Sequence, residues 1–450
     1  MVVFKNTHLK QIKQVTESTI IAPASAPGRG GISIIRLSGP RSQAVAESLC
    51  GKLEEPWKFK HCKIVNQGGD VLDTGLVVFF KSPHSYTGED VVEVHCHGNP
   101  RLVDLIVAEG VACGARVAEP GEFTKRAYLN NKIDLAEAEG VADLIEAQTK
   151  EAVLAAHSSM SGKFSSDINA CIDSLVASRV FVEASLDFPE EESGDEDLNR
   201  VSLEIKKQLR FIETTLSSAK RGVLVREGIC VVIVGPPNAG KSTLLNALSQ
   251  KDLAITSGTP GTTRDSIRAE LNLGGVVVEL VDTAGLRKSP ENEIEEEGMK
   301  RARSALEEAS LVLCVFDVTK EEEMEPINKD TIKVFNKCDL LAEVPDMGSG
   351  EVFVSAETGL GLDNLVELIL VKLGLGEETV LLSRRRHVVC LQECRADLSK
   401  AVYSLEEGEG LELVAESLLS AQNSLGKITC LLYTSPSPRD QRGSRMPSSA

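Results

Sequence analysis

No apolar run in this 450-residue chain approaches the ~18 residues that a membrane-spanning helix requires. Apolar runs such as Val231 to Val234 and Leu311 to Phe316 have the length of core strands, so no membrane span is expected. A disulfide framework is also missing. The eleven cysteines follow no repeating spacing, an odd number leaves one unpaired in any full pairing, and no positively charged segment leads into an apolar core. A reducing compartment is therefore expected in preference to secretion. Basic charge is in deficit: 49 Lys plus Arg stand against 67 Asp plus Glu, a net −18. The mean field of such a chain repels phosphate polyanions, so any nucleic-acid contact must use local basic patches. With 42% hydrophobic and 26% charged residues, the composition is that of a globular protein of roughly three domains, which excludes collagen-like, mucin-like and wholly disordered classes.

The first sixteen residues carry Lys5, Lys10 and Lys13 and no acid. A mitochondrial presequence and an ordinary terminus both fit, since Arg and Ser are missing. The compartment expected is mitochondrial for a eukaryotic source and cytoplasmic otherwise. From Thr19 to about Ala118, β-branched runs (Gly31 to Leu37, Gly75 to Phe80, Asp90 to His95) alternate with turns and with helices near Arg41 to Leu49 and Arg101 to Glu109. That pattern predicts an α+β domain. Helical spacing takes over from Phe123 to about Gly222, as in Leu135, Ala138, Val141, Ala142 and Ile145, with the acidic segment Pro189 to Asp197 as a solvated connection. From Gly228 to about Leu373 strands alternate with helices, which predicts a mostly parallel sheet. Helical spacing returns from Arg384 through Leu425.

The expected fold class is therefore multidomain α/β. An α+β domain over 19–120 precedes a discontinuous helical domain over 121–227 and 376–430, into which an α/β domain over 228–375 is inserted. Residues 431–450, rich in Ser, Pro and Arg, break the pattern and read as a disordered tail or, preferably, a frameshift or read-through product.

The chemistry-bearing motifs fall in the third region. Gly235-Pro236-Pro237-Asn238-Ala239-Gly240-Lys241-Ser242 follows the strand Cys230 to Val234 and opens the helical run that begins at Thr243. This is a P-loop in its required context: backbone N–H groups curl around phosphates at a helix N-terminus. Lys241 would meet the β and γ phosphates, and Ser242 would bind Mg²⁺. Asp282-Thr283-Ala284-Gly285 follows the strand Val276 to Val281, where a carboxylate reaches the metal shell and a glycine amide the γ-phosphate. Asn336-Lys337-Cys338-Asp339 follows Ile332 to Phe335. A carboxylate at Asp339 accepts two hydrogen bonds from guanine N1 and N2, a donor pair adenine lacks, so it selects GTP. Ser355-Ala356, after Val352 to Val354, suits the loop that closes over the base.

Switch I belongs at Gly258 to Asp265, where Thr263 is the natural sensor of Mg²⁺ and γ-phosphate. The residue after Gly285 is Leu286, so the water-orienting glutamine of Ras-like enzymes is absent. The acidic run Glu291, Glu293, Glu295, Glu296, Glu297 offers a substitute, though such a run is also an ordinary exposed helix face. The crossover Asp317 to Thr331 is short and acidic, and a shortened helix or a deletion is expected there.

Together with Pro27 to Gly31 and Arg36, Tyr86 to Asp90, Gly121 to Ala127, Lys132 to Glu139 and Arg384-Arg385-Arg386-His387, these motifs resemble the MnmE/TrmE tRNA-modification GTPases over about Thr19 to Thr429. The resemblance implies a Ras-like GTPase domain inserted in the helical domain. It also implies an N-terminal domain that forms a homodimer and binds a formyl-tetrahydrofolate-type one-carbon donor at Arg36, Glu93 and Lys132; from sequence alone Arg36 and Lys132 are equally surface charges. It further implies a potassium ion held by Asn238, Ser257, Thr259 and Thr262 in place of an arginine finger, and water orientation by Glu295, whose preceding loop is one residue longer than the family's. The family acts with an FAD-containing partner, MnmG/GidA, to place a carboxymethylaminomethyl or taurinomethyl group on C5 of the tRNA wobble uridine. Its terminal Cys-x-Gly-Lys has no counterpart here, and Cys430 stands where the pattern breaks.

The sites implied for GTP are thus Gly235, Asn238, Ala239, Gly240, Lys241, Ser242, Thr243, Asp282, Thr283, Ala284, Gly285, Asn336, Lys337, Asp339, Ser355 and Ala356, with Glu295, Lys241 and Thr263 catalytic and Ser242 and Thr263 on magnesium. Other clusters have plainer readings. His95-Cys96-His97 sits in an alternating strand that separates Cys96 from the two histidines. Cys390 and Cys394 read as small core residues. Arg384 to Arg386 fits either tRNA phosphates or a solvated helix start. The function expected is a GTPase serving tRNA wobble-uridine modification; a ribosome-assembly GTPase and a folate-binding scaffold with incidental GTPase activity are the alternatives.

Overall fold

The computed structural model describes residues 18–53, 55–187, 195–251, 268–273, 276–282, 306–307, 309–320, 329–341, 350–374, 384–408 and 410–429, and positions 327, 343, 345 and 348. The chain divides into two compact units, which meet between Ala138 and Glu139.

The first unit is built on a six-stranded sheet: β1 (Ile20–Pro23), β2 (Gly30–Ser38), β3 (Lys60–Val65), β4 (Val71–Phe80), β5 (Val91–Gly98) and β6 (Arg116–Val117), in the order β3-β4-β5-β2-β1-β6. All pairs are antiparallel except β1 with β6. Helices α1 (Ser42–Cys50) and α2 (Pro100–Ala112) cover the face that carries Ile35, Leu37, Val77, Val92 and Val94. The start of α2 follows from its sequence. Asn99 caps it by accepting from the Arg101 N–H at 2.9 Å, and Pro100 stands at the first turn, where a missing N–H costs nothing. The strands β1, β3 and β6 were not expected from the sequence; β1 and β6, of four and two residues, are too short to show a period.

The first unit also runs past the expected boundary at 120. Helix α3 (Glu122–Leu129) belongs to it, held by Arg126, whose side chain is fully buried. Its guanidinium donates to Glu89 Oε2 at 3.0 Å, Glu122 Oε1 at 3.0 Å and the Ser18 carbonyl at 2.8 Å. A buried charge persists only with such partners, and these partners lie on both sides of the expected boundary. Helix α4 (Leu135–Glu146) spans the division between the units.

In the second unit, helices α5 (Lys150–Met160), α6 (Lys163–Asp187) and α7 (Asp195–Glu227) lead into a second sheet. Its strands are β7 (Ile229–Val234), β8 (Arg268–Leu273), β9 (Val276–Asp282), β10 (Leu311–Asp317), β11 (Thr331–Asn336) and β12 (Glu351–Phe353), in the order β12-β11-β10-β7-β9-β8. Every pair is parallel except the edge strand β8 against β9. Strands β7 and β10 are central and read as continuous apolar runs, as strands covered on both faces must. Helices α8 (Lys241–Lys251) and α9 (Leu362–Lys372) bury Leu244, Leu248, Leu365 and Ile369 in this core. The last two helices, α10 (Arg385–Glu406) and α11 (Leu411–Thr429), pack on each other; α10 also packs on α7 and α11 on α6. Cys390 and Cys394 are buried there. Among the described residues no helix is long and apolar enough to cross a membrane.

Candidate nucleotide-binding site

Strand β7 delivers the P-loop to the C-terminal edge of the parallel strands, where open α/β sheets bind ligands. Two glycines are required there by space as well as by torsion. Gly235 has φ 153°, and a Cβ on it would collide with the Val315 carbonyl oxygen; Gly240 has φ 89°, and a Cβ would collide with Asn336 Nδ2. Asn238 between them also takes a left-handed conformation, at φ 65°. Lys241 opens α8 nearly buried, with Nζ donating to the carbonyls of Gly235 and Pro236 at 2.9 Å each. The ammonium is thereby held over the hollow of its own loop. Ser242 and Thr243 follow as exposed residues in the first turn, where helix N–H groups and the macrodipole favour an anion.

The Asn336 motif is tied directly to that loop. Asn336, 2% exposed, donates from Nδ2 to the Ala239 carbonyl at 2.9 Å and accepts on Oδ1 from the Ala356 N–H at 3.0 Å. One side chain thus pins the phosphate loop to the Ser355-Ala356 loop. Lys337 (φ 67°) sends Nζ to Asp317 Oδ2 at 2.6 Å and to the Asn238 carbonyl at 3.1 Å. Beside that ammonium, and with Thr319 donating to it, the Asp317 carboxyl drops to about 2. Asp339 lies exposed in the turn Cys338–Leu340, which the Cys338 N–H anchors to the Val354 carbonyl at 3.1 Å. Ser355 is buried, and its Oγ accepts from the Thr358 N–H at 3.2 Å.

Asp317 was missed in the sequence, although a lone carboxylate ending the apolar run Leu311 to Phe316 was a readable signal. Asp282 ends β9 with its backbone paired to Ile233. Thr283, Ala284, Gly285, Ser257, Thr259, Thr262, Thr263 and Glu295 lie outside the described residues, as do the acidic crossover 321–326, Cys430 and the tail 431–450.

In the first unit, register β2–β5 sets Arg36 opposite Glu93, and Arg36 Nε donates to Glu93 Oε1 at 2.9 Å. The Arg36 guanidinium lies over the rings of Tyr86 and Phe123, 5.2 and 5.5 Å from their centroids. Glu93 lines a cavity of about 580 Å³ walled by Trp57, Phe80, Tyr86 and Val91. Lys132 is exposed alongside Gly88 and is absent from that lining. His97 pairs with Asp73 at 2.8 Å while Cys96 is buried, and no cluster among the described residues suits a metal ion.

The basic run Arg384 to Arg386, which fits either tRNA phosphates or a solvated helix start, has acidic partners within its own unit. Arg384 reaches Asp143 at 3.0 Å, Arg385 reaches Glu227 at 2.8 Å, and Arg386 reaches Glu139 at 2.8 Å and the carbonyls of Lys427 and Ile428 at 2.8 and 3.0 Å. Burial pushes the Glu139 carboxyl up, but His387 and Arg386 outweigh it and bring it down to about 2. Arg384 and Arg386 are thus tied to largely buried carboxylates and a helix end, while Arg385 stays mostly exposed beside Glu227.

A phosphate loop at a helix start, cross-linked to an Asn-Lys-x-Asp loop on a parallel sheet, defines a P-loop GTPase site. Two family models match the chain: the GTP-binding protein TrmE N-terminus over residues 19–132 and the MnmE helical domain over residues 135–434. The chain is 42% identical over 431 residues to the tRNA modification GTPase MnmE of Francisella tularensis subsp. tularensis, covering 92% of this chain and 95% of that protein. The counterpart from Francisella philomiragia is 41% identical over the same shares. The cytosolic domain of the T. maritima FeoB iron transporter is 23% identical, over 45% of this chain and 98% of that one, with a TM-score of 0.25. The chain belongs to the MnmE family of tRNA modification GTPases.

Proposed function

We propose that this protein hydrolyses GTP to drive modification of tRNA, at C5 of the wobble uridine, together with an FAD-dependent partner of the MnmG/GidA type. The observation that carries the nucleotide reading is Asn336, whose one amide holds the phosphate loop and the base loop together. Around it, Lys241 neutralises phosphate charge, the first turn of α8 donates N–H groups, and Asp339 accepts from guanine N1 and N2. The exposed Ser242 beside the loop fits a magnesium ion, which Thr263 would also hold and which supplies charge neutralisation at the β and γ phosphates. Asn238 at the loop's left-handed apex suits potassium, with Ser257, Thr259 and Thr262. Glu295 orients the water that attacks the γ-phosphorus as the bond to the β-phosphate oxygen breaks, giving GDP and phosphate.

The first unit supports a one-carbon donor of the formyl-tetrahydrofolate type. Arg36 and Glu93 are paired beside an aromatic cavity within the range of small-ligand pockets. Homodimerisation through this unit completes the reading. The test is mass spectrometry of wobble uridines in cells that lack the protein. Loss of the C5 group, restored by the wild-type gene and not by a Lys241→Ala variant, is expected; a C5-modified uridine that persists at the wild-type level in the deletion would refute the reading.

A further inference from the structure

Trp57 is an unusual residue in an unusual place. It is the chain's one tryptophan, its side chain is 58% exposed, and its backbone sits at φ 64°, a region bulky residues rarely enter. The conformation is held from both sides. The Trp57 N–H donates to the Phe79 carbonyl at 2.8 Å, and the indole meets the Phe80 ring edge-on, centroids 4.9 Å apart at 85°. Left-handed backbone at a non-glycine residue persists where surroundings over-determine it, and such residues concentrate at ligand clamps. Here the result is a largely exposed indole that lines the same cavity as Tyr86 and Glu93.

We propose that Trp57 is the stacking platform that receives the flat heteroaromatic ring of the one-carbon donor and selects a planar ligand for this cavity. The inference rests on the reading of the first unit as a one-carbon-donor site. Three features of the cavity point to a flat, nitrogen-rich ring. Its walls at Trp57, Phe80 and Tyr86 are π surfaces, which bind ring faces. Its carboxylate, Glu93, accepts from ring N–H and amino groups while Arg36 holds its Oε1. Its volume of about 580 Å³ accommodates a bicyclic ring with a substituent. The resemblance assigned Arg36, Glu93 and Lys132 to the donor and left Trp57 without a role.

A single tryptophan makes the test direct. The full chain is titrated with 5-formyltetrahydrofolate, following Trp57 emission and, in parallel, heat by calorimetry. Saturable quenching with the same dissociation constant as the heat is expected. Trp57→Ala should weaken calorimetric binding about 10-fold, and Trp57→Phe less, with an unchanged far-UV circular dichroism spectrum and unchanged urea unfolding in both as the sign of a folded chain. Wild-type binding that Trp57→Ala leaves unchanged would overturn the platform and leave the one-carbon reading standing. Absence of any binding to the wild type would overturn both. Emission that follows protein concentration instead of ligand would assign Trp57 to a contact between copies of the chain and overturn the proposal.

Discussion

Asn336→Ala is expected to damage both the stability of the second unit and its hold on GTP. The wild-type amide is 2% exposed and uses both ends, Nδ2 on the Ala239 carbonyl and Oδ1 on the Ala356 N–H. Ala239 and Ala356 are themselves buried, at 2% and 8% exposure, so water does not readily replace the lost partner. Each buried group left unpaired costs about 1–3 kcal/mol. The two groups flank one side chain and relax together, so the sum falls below strict additivity, at about 2–4 kcal/mol. If the loss falls on nucleotide binding, that range corresponds to about 30- to 1000-fold in affinity. Two further variants separate the hydrogen bonds from side-chain volume. Asn336→Asp keeps the acceptor for Ala356 but sets a carboxylate against the Ala239 carbonyl, and Gly240→Ala drives a methyl group into Nδ2 from the other side. Urea unfolding and titration with a fluorescent GDP are the assays. An Asn336→Ala protein with an unchanged urea midpoint and unchanged GDP affinity would refute the reasoning.

The remaining expectations concern charge and ions. Asp317 has its carboxyl lowered to about 2 by Lys337 and Thr319. Its contribution to stability is therefore complete above the ordinary carboxylate value near 4 and is lost as pH falls through about 2. Asp317→Asn should flatten the acid limb of an unfolding-versus-pH curve in that window; an unaltered limb would contradict the pairing. Asp339→Asn should move preference from GTP toward xanthosine triphosphate in competition binding, and full retention of guanine selectivity would remove Asp339 as base reader. GTP turnover should rise in K⁺ over Na⁺ at equal ionic strength, with Asn238→Ala abolishing the difference; equal rates in both salts would dismiss a potassium site.

Local order in the chain was sufficient for the parts whose chemistry is contiguous. Gly235 to Ser242 reads as a phosphate loop because the torsions at Gly235 and Gly240, the flanking strand and the following helix are all specified within about fifteen residues, and the structure places them so. The central strands Ile229–Val234 and Leu311–Asp317 were legible for a related reason, since burial on both faces leaves an unbroken apolar run. Short strands such as Ile20–Pro23 and Arg116–Val117, and the antiparallel edge Arg268–Leu273, left no comparable trace. Their existence depends on a neighbour to pair with, which lies far away in sequence.

Charge partners were decided by the tertiary structure alone. Arg384, Arg385 and Arg386 form a basic run in sequence, and nothing local says that Asp143, Glu227 and Glu139, up to 247 positions away, neutralise it. Arg126 looks like one more helix cation, yet the fold buries it on Glu89 and Glu122. Asn336 was expected as part of a base-reading motif, but its bond to Ala239, 97 positions earlier, comes from the strand order that sets β11 two places from β7. Composition counts how many charges and amides a chain has. Which of them meet is set by sheet order and helix packing, because burial without a partner is what a folded chain cannot sustain.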